Sequence, residues 1–278
     1  MTNILFLTLA GLLTGVVQII NKRLVSSNHR STTYTSVTML ANAVVAFPLL
    51  FINFRISYSL YYWGAILLSV LLFTVSCYYG FKAYKEIDIS AMSVIQRLNI
   101  VFVALIGLTF LRENYSVNNY VGFCLILAGG LVVVYEKRKL LINKGVIYAL
   151  IATFFGAVSA TLDKVILKDF SPFTYAFLSS FLVGITFLWR KDIVHDNIKL
   201  FQRHKILIIL RSILGISSYI LLLLVLAKTN VSQTMPVYKG LSLIIPVILG
   251  ILVLGEKTNI KQKIAGTLMS LLGIMLMY

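Results

Sequence analysis

Ten apolar runs follow one another along this chain of 278 residues, with only short connectors between them. Each run has about the 20 residues that cross roughly 30 Å of hydrocarbon as a helix, and ten of them consume about 200 residues. What remains is too little for a soluble domain, a long lid or a catalytic insert. The runs predict helices over about 4–24, 33–53, 60–82, 88–111, 117–136, 144–166, 172–190, 205–226, 231–254 and 260–278. Helices are required because backbone exposed to lipid must satisfy its own hydrogen bonds, and the alternating pattern of a membrane barrel is absent. Hydrophobic side chains make up 59% of the chain and charged ones 12%, against about 25% charged in soluble domains. That balance excludes a soluble enzyme, a nucleic-acid binder and a secreted disulfide scaffold. The fold class expected is an all-α polytopic membrane protein.

The formal charge of +16 would suggest a polyanion partner in a soluble protein. Here the basic residues fall in short connectors, where they set orientation and meet anionic head groups. Numbering the connectors from the first, the odd ones hold 17 Lys and Arg and the even ones five. The positive-inside rule therefore places the odd connectors in the cytoplasm and both termini outside. Tyr58, Tyr61, Tyr62 and Trp63 at the start of the third run, and Trp189 at the end of the seventh, fit interfacial belts. The first run is too long for a signal h-region and lacks a basic start, so no cleavable signal is expected. Cys77 and Cys124 are single and lie in apolar runs, and His29, His195 and His204 have no partner at ligand spacing. Neither disulfide nor metal is expected.

The chain repeats itself. A shift of 143 residues brings Lys85, Met92, Val94, Leu98, Gly107, Leu111 and Glu113 onto Lys228, Met235, Val237, Leu241, Gly250, Leu254 and Glu256. Gly15 answers Gly156, and Gly122 and Gly129 answer Gly266 and Gly273 after a one-residue gap. Five helices per half is an odd number, so the second half enters the bilayer from the opposite side. The expected organisation is two inverted five-helix repeats, residues 1–139 and 140–278, the plan of many secondary transporters with a site near the midplane between the halves.

Residues 93–113 and 236–256 resemble the EamA-type drug/metabolite transporter superfamily. In that family each half carries a fourth helix that closes on a glycine, a short apolar stretch and a Gly-Glu pair. Here the pattern is Gly107 to Leu111-Arg112-Glu113 and Gly250 to Leu254-Gly255-Glu256, with Arg112 replacing the usual glycine. The resemblance covers essentially the whole chain. It implies a ten-helix carrier working by alternating access, with helices three, four, eight and nine around a central cavity. It also implies both termini inside, against the charge count. It says almost nothing about substrate.

Ionisable residues deep in a membrane are costly and therefore functional candidates. All nine carboxylates fall at or near helix ends, Asp163, Glu113 and Glu256 among them, which argues against a central carboxylate that exchanges protons for cationic solutes. Arg97 and Lys239 lie about ten residues into helices four and nine, roughly 12–15 Å deep. Ser90, Ser93 and Arg97 share one helical stripe, and Gln96 answers Lys239 in the repeat. Pro236 and Pro246 leave carbonyls without donors and should bend helix nine beside Lys239. Two deep cations without a central carboxylate favour an anionic group on the substrate. The alternative is that both merely bond carbonyls and amides and lock helices together. The resemblance adds that nucleotide-sugar and sugar-phosphate carriers place a lysine in this part of helix nine, matched here only at Lys239. The expected binding residues are Arg97, Lys239, Tyr79, Tyr238, Ser93 and Gln96, with Gln18, Asn21, Asn42, Tyr78 and Tyr219 as secondary candidates. Arg211 reads as a cation reaching an interface.

No nucleophile–base pair, Walker motif or metal cluster is evident, so neither catalysis nor a cofactor is expected. The expectation is a secondary transporter for a small solute bearing phosphate or carboxylate, embedded in a bacterial plasma membrane. A flippase for an anionic lipid-linked sugar, a broad amino-acid or metabolite exporter, and a non-transporting scaffold are the alternatives, and the sequence leaves monomer and homodimer equally open.

Overall fold

The computed structural model describes residues 2–25, 29–110, 116–136, 139–140, 143–188, 191–229, 231–252, 254–255 and 259–276. Glu113, Glu256, Arg112 and Trp189 lie outside them. The helices are α1 (Thr2–Val25), α2 (Ser31–Ala46), α3 (Leu60–Glu86), α4 (Ile89–Ile95), α5 (Leu98–Phe110), α6 (Val117–Val134), α7 (Lys144–Ile166), α8 (Pro172–Ile185), α9 (Lys191–Leu226), α10 (Val231–Leu252) and α11 (Ile260–Leu276). Seven described helical stretches are long and apolar enough to cross a membrane, one of them running through α4 and α5 together. The chain is an all-α polytopic membrane protein built from two five-helix repeats. Leu67, Leu68 and Leu71 on α3 and Leu268 and Leu272 on α11 are exposed on the outside of the bundle, as side chains that meet lipid are.

The packing repeats as the sequence does. α1 rests on α9 and α10, and α7 rests on their counterparts α3 and α5. α2 pairs with α8 and α6 with α11, each helix against its own equivalent. The α6–α11 seam depends on glycine: a Cβ at Gly129 would stand 2.6 Å from the Gly266 carbonyl, and one at Gly273 would stand 2.6 Å from that of Gly122. Backbones come this close only where no side chain intervenes, the small-residue packing that holds membrane helices without a hydrophobic drive.

Three helix boundaries differ from the sequence expectation. The fourth span is not continuous. It breaks at Gln96 and Arg97, where the Arg97 and Ile100 amides donate to Val94 and Arg97 carbonyls three residues back. These tighter turns interrupt the α ladder in mid-membrane, as often happens at hinges. The connector before the eighth span is helical from Lys191 and joins the span through a kink at His204 (φ −126°, ψ 26°). Its first turns bury Ile193, Asn197 and Leu200 against the bundle while Val194, Ile198 and Phe201 stay exposed. Burial at every third or fourth residue explains the helix, which an apolar-run reading misses because Asp192, Asp196, Lys199 and Arg203 interrupt the run. The second span gives way to a 3-10 turn over Phe47–Phe51, where Pro48 removes a donor.

Charged groups near the connectors stitch the ends. Lys22 donates to the Tyr84 and Ile87 carbonyls, both at 2.7 Å, and Lys263 pairs with Asp88 at 2.6 Å. Arg30 pairs with Asp192, which ties the start of α2 to the start of α9.

Candidate functional site

A polar cavity of about 280 Å³ occupies the centre of the bundle between the repeats. On α7 its wall is the stripe Thr153, Gly156, Ala160 and Asp163, and on α9 it is Arg211, Gly215, Tyr219 and Leu222. Each stripe follows helical spacing, so one face of each helix lines the cavity along its length. α1 contributes Thr14, Gln18 and Asn21, α2 contributes Asn42, and α10 contributes Met235, Tyr238 and Lys239. The cavity therefore involves helices one, two, six and seven, the last through Ser180, as well as the three, four, eight and nine that the resemblance implies.

Of the six expected binding residues, three meet here: Gln96, Tyr238 and Lys239 line the cavity. Tyr238 is held in place, since its hydroxyl lies 2.8 Å from Thr14 Oγ1, which in turn lies 2.6 Å from Ser218 Oγ. Lys239 Nζ stands 5.6 Å from the centre of the Tyr238 ring and has no hydrogen-bond or ion-pair partner among the described residues.

Arg97 stands one layer behind. It is 0% exposed, and the one hydrogen bond of its side chain among the described residues runs from Nη1 to Ser242 Oγ at 3.1 Å. Ser242 passes its own proton to the Lys239 carbonyl at 3.1 Å, so Arg97 is coupled to the helix that carries Lys239. Its Nε and Nη2 have no partner among the described residues. A buried guanidinium with two unmet donors is expensive, since each unsatisfied charged donor costs more than the roughly 1–3 kcal/mol of a neutral one.

Ser93 and Tyr79 are not part of the wall. Ser93 is buried and donates to Gln18 Oε1 at 2.9 Å, so it orients a cavity residue without reaching the cavity itself. Tyr79 packs on Tyr148 with ring centres 5.6 Å apart, beneath Lys82. The reason is rotational: the cavity stripe on α3 is Phe73, Ser76, Cys77, Gly80 and Tyr84, and at about 100° per residue Tyr79 points roughly a third of a turn away.

Two residues that the sequence reading set aside belong to the site. Arg211 does not reach an interface: it is 6% exposed and donates from Nε to Asn21 Oδ1 at 3.1 Å and from Nη1 to Asn42 Oδ1 at 2.7 Å. Asp163 does line the cavity, 5% exposed, although it lies three residues from the end of α7. That end is covered rather than solvated. Tyr175 of α8 donates to Asp163 Oδ1 at 2.5 Å and Tyr219 of α9 donates to Oδ2 at 3.3 Å. The premise that no carboxylate faces the centre is therefore corrected. Position along a helix misled here because burial is set by neighbouring helices. A sequence signal did exist: Asp163, Tyr219 and Arg211 all fall on helix faces shared with small residues.

A two-repeat bundle of membrane-spanning helices around a polar, charged cavity defines a multi-pass membrane transport protein. The chain belongs to the EamA-like transporter family, which it matches twice, over residues 1–135 and 143–278. No curated protein matches the sequence. Among solved structures, a chain described as "Crystal structure of protein" shares the fold with a TM-score of 0.67, covering 97% of this chain and 95% of its own at 12% identity. At that identity the likeness is one of fold alone. The family carries small molecules of drug or metabolite type across membranes, and this chain is a membrane transporter of that type.

Proposed function

We propose that this protein is a secondary transporter of a small organic anion, bearing phosphate or carboxylate, which it moves by alternating access between the two repeats. One observation carries the sign of the charge: Lys239 on the cavity wall and Arg97 behind it present donors with no carboxylate paired to either among the described residues. In a low-dielectric setting such donors gain most from an anion, and charge-assisted bonds are about twice as strong as neutral ones. Ser242 accepts from Arg97 and donates to the Lys239 backbone carbonyl, which ties Arg97 to the helix of Lys239, and the helix break at Gln96–Arg97 supplies a joint at which α5 can move relative to α4. On this reading Arg97 gains access to the bound group when the joint opens, while Tyr238 and Gln96 frame it. Within a bacterial envelope a helical bundle belongs in the plasma membrane, because outer-membrane proteins are barrels.

The test is ligand-induced stabilisation of the purified chain by a panel of organic phosphates, carboxylates and matched cations. Anions should raise the unfolding midpoint and cations should not. A panel in which only cations stabilise, with equal effect on Lys239→Gln, would overturn the reading.

A further inference from the structure

The cavity has a second pole. On α9, Arg211 and Tyr219 both line it, and their separation in sequence is about 12 Å of helix rise. The Arg211 end is positive. The Tyr219 end holds Asp163, whose two oxygens accept from Tyr175 at 2.5 Å and Tyr219 at 3.3 Å. Tyr175 Oη also lies 2.9 Å from Ser69 Oγ, and Ser69 Oγ lies 3.0 Å from Ser159 Oγ. This network orients the carboxylate but brings it no positive charge. Two basic residues near that end are engaged elsewhere: Lys164 donates to the Leu226 carbonyl at 2.8 Å, and Arg55 donates to the Lys168 and Phe170 carbonyls, each at 3.4 Å. Among the described residues Asp163 has no ion-pair partner.

The repeat makes the contrast sharper. In these spans the structure matches the halves at a shift of 142, since Ser218 donates to the Ala10 carbonyl as Ser76 donates to that of Ala152. That register carries Asn21 onto Asp163 and Ser69 onto Arg211. In one half the pair is Asn21 with Arg211, joined by a 3.1 Å bond. In the other half the same two positions hold Asp163 and Ser69, joined through Tyr175. Equivalent residue pairs at opposite ends of one cavity thus hold a guanidinium in one half and a carboxylate in the other. A carboxylate that is 5% exposed and facing a transport cavity is stable only when a positive charge meets it for part of the cycle.

We infer that Asp163, held by Tyr175 and Tyr219, is a cation-binding position of this carrier, occupied by a monovalent positive centre distinct from the group bound at Lys239. Distance restricts the occupant. An α-amino acid, with ammonium and carboxylate on one carbon, is too short to span the roughly 12 Å of rise between the Arg211 and Tyr219 ends. The positive centre is either an amine at the far end of an elongate substrate or a small cation, a proton included, that binds separately. The titratable groups that face Asp163 are Tyr175 from α8 and Tyr219 from α9, while α3 presents the hydroxyl of Ser69. The inference rests on the cavity being the transport cavity and not on the sign of the group at Lys239.

The experiment compares thermal unfolding of the purified full chain with that of Asp163→Asn in four arms: hexanoate, 6-aminohexanoate, sodium chloride against choline chloride, and pH 5.5 against pH 8. A substrate amine is the source if 6-aminohexanoate binds the wild type at least tenfold more tightly than hexanoate and the difference vanishes in the variant. A separate cation or proton is the source if the sodium or pH response of the wild type is lost in the variant. Failure of both carboxylates, with a surviving Asp163-dependent sodium or pH response, would sink the anion reading and leave this one standing. Equal responses of the two proteins in every arm would overturn the inference, as would a wild type indifferent to all four. If Asp163→Asn does not fold, Tyr219→Phe decides. It keeps the charge and removes one donor to it, so cation affinity should rise, whereas a purely structural role lowers stability and leaves the ligand responses unchanged.

Discussion

Arg211 of α9 donates to Asn42 Oδ1 of α2 at 2.7 Å while its Nε donates to Asn21 Oδ1 of α1 at 3.1 Å. One guanidinium therefore clamps three helices at the wall of the cavity. Its planar fork suits this task, which the single point charge of lysine cannot match.

Replacing Arg211 with leucine should leave both asparagine oxygens without their strong donor, and each buried acceptor left unmet costs about 1–3 kcal/mol. The unfolding midpoint in detergent should fall by several degrees. Arg211→Lys should recover only part of the loss, because one ammonium on a flexible stem does not hold the geometry of both bonds. If Arg211→Leu unfolds at the wild-type temperature, the residue is not a clamp.

Lys239→Gln and Arg97→Gln should each weaken anion binding by about one to two decades, since a bond to a charged group is worth roughly 1.5–3 kcal/mol and 1.4 kcal/mol is tenfold. Arg97→Lys should be a partial rescue. Arg97→Gln should not destabilise the empty protein, because only its bond to Ser242 is lost while an uncompensated buried charge is removed. Titration of the three proteins with the best-binding anion reads both effects. Unchanged anion affinity together with a large loss of stability in Arg97→Gln would mean that Arg97 merely locks helices.

Gly129→Ala and Gly273→Ala should both force α6 and α11 apart, since the added Cβ would meet a backbone carbonyl at 2.6 Å in each case. Overpacking of this kind costs about 1–3 kcal/mol. Gly64→Ala is the internal control: nothing lies within 4 Å of its Cβ position, and alanine gains about 0.5–1 kcal/mol over glycine in a helix. Size-exclusion yield after membrane extraction should therefore fall for the first two variants and hold or rise for the third. A seam that accepts both alanines without loss is not set by backbone approach.

Orientation is open to a direct measurement. The odd connectors hold 17 of the connector Lys and Arg and the even ones five, from which the positive-inside rule predicts both termini outside. A C-terminal reporter that functions only in the cytoplasm should be silent, and one that functions only outside should be active. The reverse pattern would show that the charge bias of these short loops does not set the topology.

The number of spans, their order and the duplication were legible in the sequence because a bilayer imposes them. Every span must be apolar for about 20 residues, and a repeat built on such spans shows as matching glycines and leucines. Lys239, Tyr238 and Gln96 were legible as candidates for a related reason: a polar side chain in the middle of an apolar span is costly unless something in the interior meets it. What depends on neighbouring helices was not. Tyr79 and Gly80 are adjacent in the chain, yet only Gly80 lines the cavity, because helix rotation is set by packing against α7 and not by the run that contains both. Asp163 was read as a helix-end residue, but Tyr175 and Tyr219 arrive from two other helices to bury it. Arg211 has enough reach to find an interface, but Asn21 and Asn42 offer it nearer partners in the interior. The break at Gln96–Arg97 contains neither proline nor glycine, so no local signal marks it. Depth in the membrane is a property of one helix, and the sequence alone determined it. The direction in which each polar side chain points, and the charge it meets there, is a property of several helices at once, and only the tertiary structure decided it.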